Sequence, residues 1–157
     1  SQYGCRLVAD IYPGIGTMGG VLTALTEARF SHTLVVGCDT PLLRTKLLAH
    51  LAQRPRTYDA LVPSLRLAGA GAAGGSELLQ PLHTIYTRRC LPVIERHVEG
   101  GRFRVMDIFS ELQVEQVHED ELRRFDPELH SFLNANTPDD FERVRSVLQS
   151  RSYESGQ

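Results

Sequence analysis

Residues 33–43, TLVVGCDTPLL, constrain the fold more than any other stretch of this chain. A β-branched and aliphatic run, Thr33 to Val36, ends at Gly37-Cys38; Asp39 follows, then Thr40-Pro41 and the apolar opening of a helix. A carboxylate at the carboxyl end of a buried strand, with a proline turning the chain just beyond it, occupies the position where open α/β sheets bind ligands. From there Asp39 can hold a hard cation or a ligand hydroxyl, because the strand behind it fixes its direction. The same position also suits a simple turn or helix-cap residue. What separates the two readings is the glycine-rich loop one element earlier.

The rest of the pattern alternates strand and helix. RLVAD (6–10) reads as a short strand ending in Asp10, residues 13–20 (PGIGTMGG) as a glycine-rich loop, and 21–29 as a helix with Val21, Leu22 and Leu25 at helical spacing. Residues 33–38 form the next strand, 43–53 an amphipathic helix stopped by Arg54-Pro55, and 59–65 a third strand. Strand-helix-strand-helix-strand predicts α/β architecture with a mostly parallel sheet. Beyond it, the Gly/Ala-rich segment 67–76 reads as a mobile surface loop and 82–86 as a strand. Residues 91–101 read as a helix with Pro92 in its first turn and Gly100-Gly101 at its end. Val105, Ile108, Phe109 and Leu112 share a helical face, and 114–118 and 130–134 look like strands. A last helix has Thr137 as N-cap, Pro138 at its first position and Asp140 three residues after the cap. The expectation is one domain over 1–150, with a frayed tail over 151–157.

Composition narrows the function classes. A hydrophobic fraction of 41% with 23% charged residues is that of a globular protein long enough, at 157 residues, to bury a core. A net charge of −2 argues against a nucleic-acid or anionic-membrane surface. No apolar run approaches the roughly 18 residues of a membrane span. Cys5, Cys38 and Cys90 are odd in number and form no CxxC, so a reducing cytoplasm is the expected compartment. The six histidines are scattered, without the pairing of a transition-metal site. Lys46 is the single lysine among 17 basic residues.

The glycine loop supports two readings. Gly14-Ile15-Gly16-Thr17-Met18-Gly19 is a GxGxxG match between a strand and a helix, with Asp39 about 20 residues on, close to the dinucleotide fingerprint. Against an NAD(P)-type site, Asp10 to Pro13 intervene between strand and first glycine, and Asp39 precedes a Thr-Pro turn. A second match, residues 69–74, has too little chain after it for the required helix. Alternatively, Gly16, Gly19 and Gly20 open a helix whose N-terminal N–H groups and dipole suit an anion or polar base edge. One of the two carboxylates, Asp10 or Asp39, would then meet a guanine edge or ribose, while the other holds Mg²⁺ bridging phosphates. The plain alternative is that Asp10 caps a turn and the glycines permit close packing. Asn134 and Asn136, spaced i, i+2 in NANTP, leave one face of an extended segment and suit a flat polar heterocycle, or are turn residues before the capped helix. Arg102 and Arg104 are candidate phosphate ligands.

In combination these motifs resemble the molybdenum cofactor guanylyltransferase family. DIYPGIGTMGGVLTAL looks like its Asp, spacer, G-P-L-A-G-I pattern, and VVGCDTPLL is similar to its V-V-x-C-D-M-P strand end. The stretch from Gln80 to Phe109 resembles its P-L…Y-R-R-x-C-L-P…G-x-R segment, and FLNANTPDDF its F-x-N-x-N-T-P-E-D-L. The resemblance runs from about residue 8 to 145. It implies a Rossmann-like three-layer nucleotidyltransferase sheet, mostly parallel, and attachment of GMP from GTP to molybdopterin with Mg²⁺ and release of pyrophosphate. Asp10 and Asp39 would contact GTP, Asp39 would ligate Mg²⁺, and Asn134 and Asn136, with Arg104, would face the pterin. Molybdoenzymes or their chaperones would be the protein partners.

Departures are mild at Gly16-Thr17-Met18-Gly19 and at Gln80, where the family often has His. The family's opening L-A-G-G…K phosphate loop has no counterpart, so the fold is expected to be N-terminally incomplete by two strand-helix units, on the order of 50 residues. The expected consequences are a gap between strands 6–10 and 33–38 and a chain inactive by itself. A related transferase using CTP or a sugar phosphate, and a non-catalytic nucleotide-binding module, are the alternatives.

Overall fold

A computed structural model describes residues 4–67 and 77–154. The core of the Gly/Ala-rich segment, including the second GxGxxG match, lies outside the described residues. Helix α1 (Thr17–Glu27) leads to β1 (His32–Val36), α2 (Thr45–Gln53), β2 (Ala60–Arg66), β3 (Glu77–Leu79) and β4 (His83–Thr87). Then come α3 (Leu91–Glu99), a 3₁₀ segment (Val105–Glu111), β5 (Val114–His118), the short α4 (Glu119–Leu122), a 3₁₀ turn (His130–Phe132) and α5 (Pro138–Glu154).

The five strands make one mixed sheet in the order β1-β4-β2-β3, with β5 on the other side of β2. β2 and β5 are parallel, while β4 runs antiparallel to both β1 and β2. Pro63 sits inside β2 where its partner changes, from β4 at Leu61 to β3 at Ser64. A residue without an N–H is tolerated at such a break in the ladder. Strand alternation then builds three layers. Ala60, Val62 and Tyr86 face α1, α3 and the 3₁₀ segment, whereas Leu61 and Ile85 face α2 and α4. Among the described residues no helix is long and apolar enough to cross a membrane.

Several expectations change. Residues 5–10 are not a strand: the segment is exposed, with Leu7 83% accessible, and it lies along α1. Tertiary bonds to α1 hold it there, since the Arg6 guanidinium donates to Glu27 O at 2.6 Å and the Ile11 N–H to Thr23 Oγ1 at 2.9 Å. The expected gap between two strands is therefore not what is found. β1 ends the sheet order, paired with β4, and is only half-buried. Residues 130–134 are not a strand: His130–Phe132 form a 3₁₀ turn and 133–134 are irregular. The buried carboxylate of Asp126 takes the Ser131 N–H at 2.7 Å, and Leu129 adopts a left-handed φ of 54°. Helix α1 starts four residues earlier than expected, inside the glycine loop, and α5 continues to Glu154 through the start of the expected tail.

Candidate functional site

The loop after β1 is built to hold Asp39 in one orientation. The Gly37 N–H donates to Leu82 O at 3.1 Å, which ties the strand end to β4. Thr40, buried, donates its hydroxyl to Gly37 O at 2.8 Å and closes the turn. The Asp39 carboxylate folds back over Gly37, so that a Cβ at residue 37 would run into Asp39 Oδ1. The Asp39 carbonyl in turn accepts the Ala135 N–H at 2.8 Å. That one bond fastens the NANTP segment to the strand-end acid. Asp39, Thr40 and Asn134 consequently line one cavity of about 310 Å³, whose walls include Gln80, Pro81 and Met106.

Other expected residues are not gathered there. Asp10 is exposed and lines a different cavity, with Gly20 and Thr23 along α1. Gly16 is the N-cap of α1 with φ 64°, in the left-handed range that favours glycine. Gly19 and Gly20 belong to the first turn, and their N–H groups point to Gly16 O at 3.1 and 3.4 Å. Gly19 is buried against Tyr12 O and Ile15, where a Cβ would have no room. Close packing is therefore the role its surroundings give it. The dinucleotide fingerprint also fails locally, since among the described residues no strand lies within 4–13, ahead of the first glycine. Asn136 and Arg104 are exposed; Arg104 Nε lies 3.8 Å from Asp107 Oδ1. A larger cavity of about 590 Å³, lined by Arg44, Lys46 and Arg124 among others, holds none of the expected residues.

Sequence reasoning missed His83. It opens β4, is 3% exposed, lines the Asp39 cavity and packs against the Phe132 ring at 4.7 Å between centroids. Burial pushes its pKa below the ordinary histidine value, while a backbone hydrogen bond with Ser131 and the charge of Asp39 act in the opposite direction. The only signal in the sequence is a lone imidazole two residues after Pro81 in an otherwise apolar and hydroxylic strand.

Among the described residues no group of three or more His, Cys, Asp or Glu forms a metal cage. A single strand-end carboxylate nonetheless fits Mg²⁺, which is usually held by one or two carboxylates and completed by substrate phosphates and water. Asp39, oriented by its contact with Gly37, is the residue here with that character.

Residues 1–117 match the model of the MobA-like NTP transferase domain. The chain is 30% identical over 145 residues to a molybdenum cofactor guanylyltransferase of Desulfosudis oleivorans, covering 92% of this chain and 67% of that protein. It is 35% identical over 143 residues to a "Probable molybdenum cofactor guanylyltransferase" of Chloroflexus aggregans, covering 91% of this chain and 65% of the relative. The chain thus spans about two thirds of the length of these relatives. Among solved structures, molybdopterin-guanine dinucleotide biosynthesis protein A from Archaeoglobus fulgidus superposes with a TM-score of 0.78 at 27% identity, over 95% of this chain and 71% of that one. With a three-layer sheet and a strand-end acid of this kind, the chain belongs to the MobA-like NTP transferase family, whose members are nucleotidyltransferases.

Proposed function

We propose that the protein transfers GMP from GTP to molybdopterin, releasing pyrophosphate and forming the guanine dinucleotide of the pterin. The observation that carries this reading is the Ala135 N–H to Asp39 O bond at 2.8 Å. It joins an acid suited to a metal-bound nucleotide to an amide pair suited to a flat polar ring, so two substrates would meet across one loop. The names of the relatives in Desulfosudis oleivorans and Archaeoglobus fulgidus support the same substrates.

In this reaction an oxygen of the pterin's terminal phosphate attacks the α-phosphorus of GTP. The bond to the β-phosphate breaks, and pyrophosphate leaves. No protein nucleophile is required, so the enzyme contributes position and charge. Asp39 is the Mg²⁺ ligand in this reading. The ion, when bound, neutralises charge on the phosphates. Asp10, with Gly16 and Gly20 at the start of α1, contacts the nucleotide. Asn134 and Asn136 orient the pterin, and Arg104 attracts its phosphate. The test is incubation of the protein with GTP, Mg²⁺ and molybdopterin, followed by measurement of pyrophosphate and the dinucleotide. Product formed from GTP in preference to CTP supports the assignment; preference for CTP replaces it with the related cytidylyl reaction.

A further inference from the structure

We infer that the large cavity between α2 and the loop after α4 binds the phosphate group of a small molecule through Arg44, Lys46 and Arg124. It shares no lining residue with the Asp39 cavity, and the inference does not depend on the substrate reading above. At about 590 Å³ it has the size of a small-molecule site, and its lining contains those three cations and no acid. Leu43, Phe125 and Pro127 supply apolar wall. A concave surface lined by one sign of charge concentrates the opposite ion. Neighbouring arginines are already neutralised: Arg123 pairs with Glu119 at 2.9 Å, and Arg54, at the far end of α2, with Glu115 and Glu121 at 2.6 and 2.9 Å. Among the described residues, by contrast, Lys46 and Arg124 form no ion pair and no side-chain hydrogen bond.

Arg44 is anchored from behind. Its Nε lies 3.6 Å from Oδ1 of Asp126, which is fully buried, and its backbone N–H donates to Ser131 Oγ at 2.9 Å. The side chain is still 39% exposed, and no hydrogen bond engages the two terminal nitrogens of the guanidinium. A guanidinium fixed along one edge presents its remaining N–H groups in a set geometry, which suits phosphate oxygens. Lys46 and Arg124 are exposed and add two further cations from separate elements. A phosphate, with three terminal oxygens and up to two negative charges, matches three such cations better than a single carboxylate does.

Lys46 is the single lysine of the chain, so reductive ¹³C-methylation, which keeps its charge, places one side-chain reporter in this cavity. Methyl spectra are recorded without Mg²⁺, to leave the proposed Asp39 metal site idle, while pyrophosphate or phenyl phosphate is titrated at constant ionic strength. A saturable shift of the Lys46 methyl resonance is expected, with affinity about three- to tenfold weaker in Arg124→Ala. Tighter binding of phenyl phosphate supports a phosphate carried on an organic body against Phe125, and tighter binding of pyrophosphate supports the free inorganic anion. No saturable shift with either probe overturns the inference, as does equal affinity in Arg124→Ala. A response to a short polyglutamate peptide alone also overturns it, and gives the surface to an acidic protein segment. Should Arg124→Ala not fold, calorimetric titration of Lys46→Gln should show the same three- to tenfold weakening, and undiminished binding overturns the inference. Turnover of GTP with Mg²⁺ is measured separately, so failure here leaves the substrate reading standing.

Discussion

Gly37 and Asp39 act as one unit, because the carboxylate occupies the space a side chain at residue 37 would fill. Gly37 has no left-handed φ, so alanine there meets no backbone penalty and acts through that collision alone. Gly37→Ala should leave the thermal midpoint nearly unchanged while lowering kcat by up to about a hundredfold, the scale of a displaced reacting group. Circular dichroism melts alongside pyrophosphate release will separate the two effects. Asp39→Ala should go further, reducing Mg²⁺-dependent turnover by roughly 10²–10³-fold with the fold retained. Turnover near wild type would overturn the proposal that Asp39 holds Mg²⁺. At this scale the sequence was informative where the signal is local: Asp39 and Asn134 were both singled out by their motifs and line one cavity, whereas Asn136 is exposed and does not line it. The joining of Asp39 to the amide segment was not legible, because it depends on a backbone bond between distant segments. His83 was not legible either, since only burial and the Ser131 bond distinguish it from any other strand residue.

The elements that could be read from sequence carry their own stop and start signals. At α5, the Thr137 hydroxyl accepts the Asp140 N–H at 3.2 Å, and Asp140 Oδ2 accepts the Thr137 N–H at 3.0 Å, a reciprocal capping box. Thr137→Ala should cost about 1 kcal/mol, read as a lowered denaturation midpoint. Residues 6–10 and 130–134 misled for the opposite reason. Their short apolar runs are strand-like, but partners elsewhere claim their backbone or flank it: Thr23 and Glu27 for the first, Asp126 for the second. Tertiary hydrogen bonds overrode propensity.

Helix α4 shows how such a bond sets a pH dependence. Glu119 accepts the Arg66 N–H at 2.8 Å and the Arg123 guanidinium at 2.9 Å, and these hold its carboxyl below the ordinary value of 4.5. Between the folded and unfolded pKa values the unfolded chain binds more protons. Stability is therefore full above the unfolded value and is lost as pH falls through the folded one. Denaturation series between about pH 3 and 5 should show a steeper acid loss for wild type than for Glu119→Gln.

Over the whole molecule, the two apolar layers are coupled through shared strands. Tyr86 and Ile85 are adjacent in β4 yet belong to opposite cores, as do Val62 and Leu61 in β2. A strand cannot withdraw one face without moving the other, so the faces should lose their structure together. Leu25 of α1 and Leu51 of α2, both fully buried, probe one layer each. Leu25→Ala and Leu51→Ala should each cost about 2–5 kcal/mol, the range for truncating a buried leucine. The sharper expectation concerns cooperativity. With fluorophores placed on α3 and on α2, the denaturant transitions reported from the two sides should coincide in wild type and in both variants, with an unchanged slope m. Separate midpoints in the Leu25→Ala protein, with α1 and α3 released while α2 stays ordered, would show instead that the sheet does not transmit the loss. The Asp39 loop, tied to β4 through Leu82 and to residue 135 through its own carbonyl, would then rest on one layer alone.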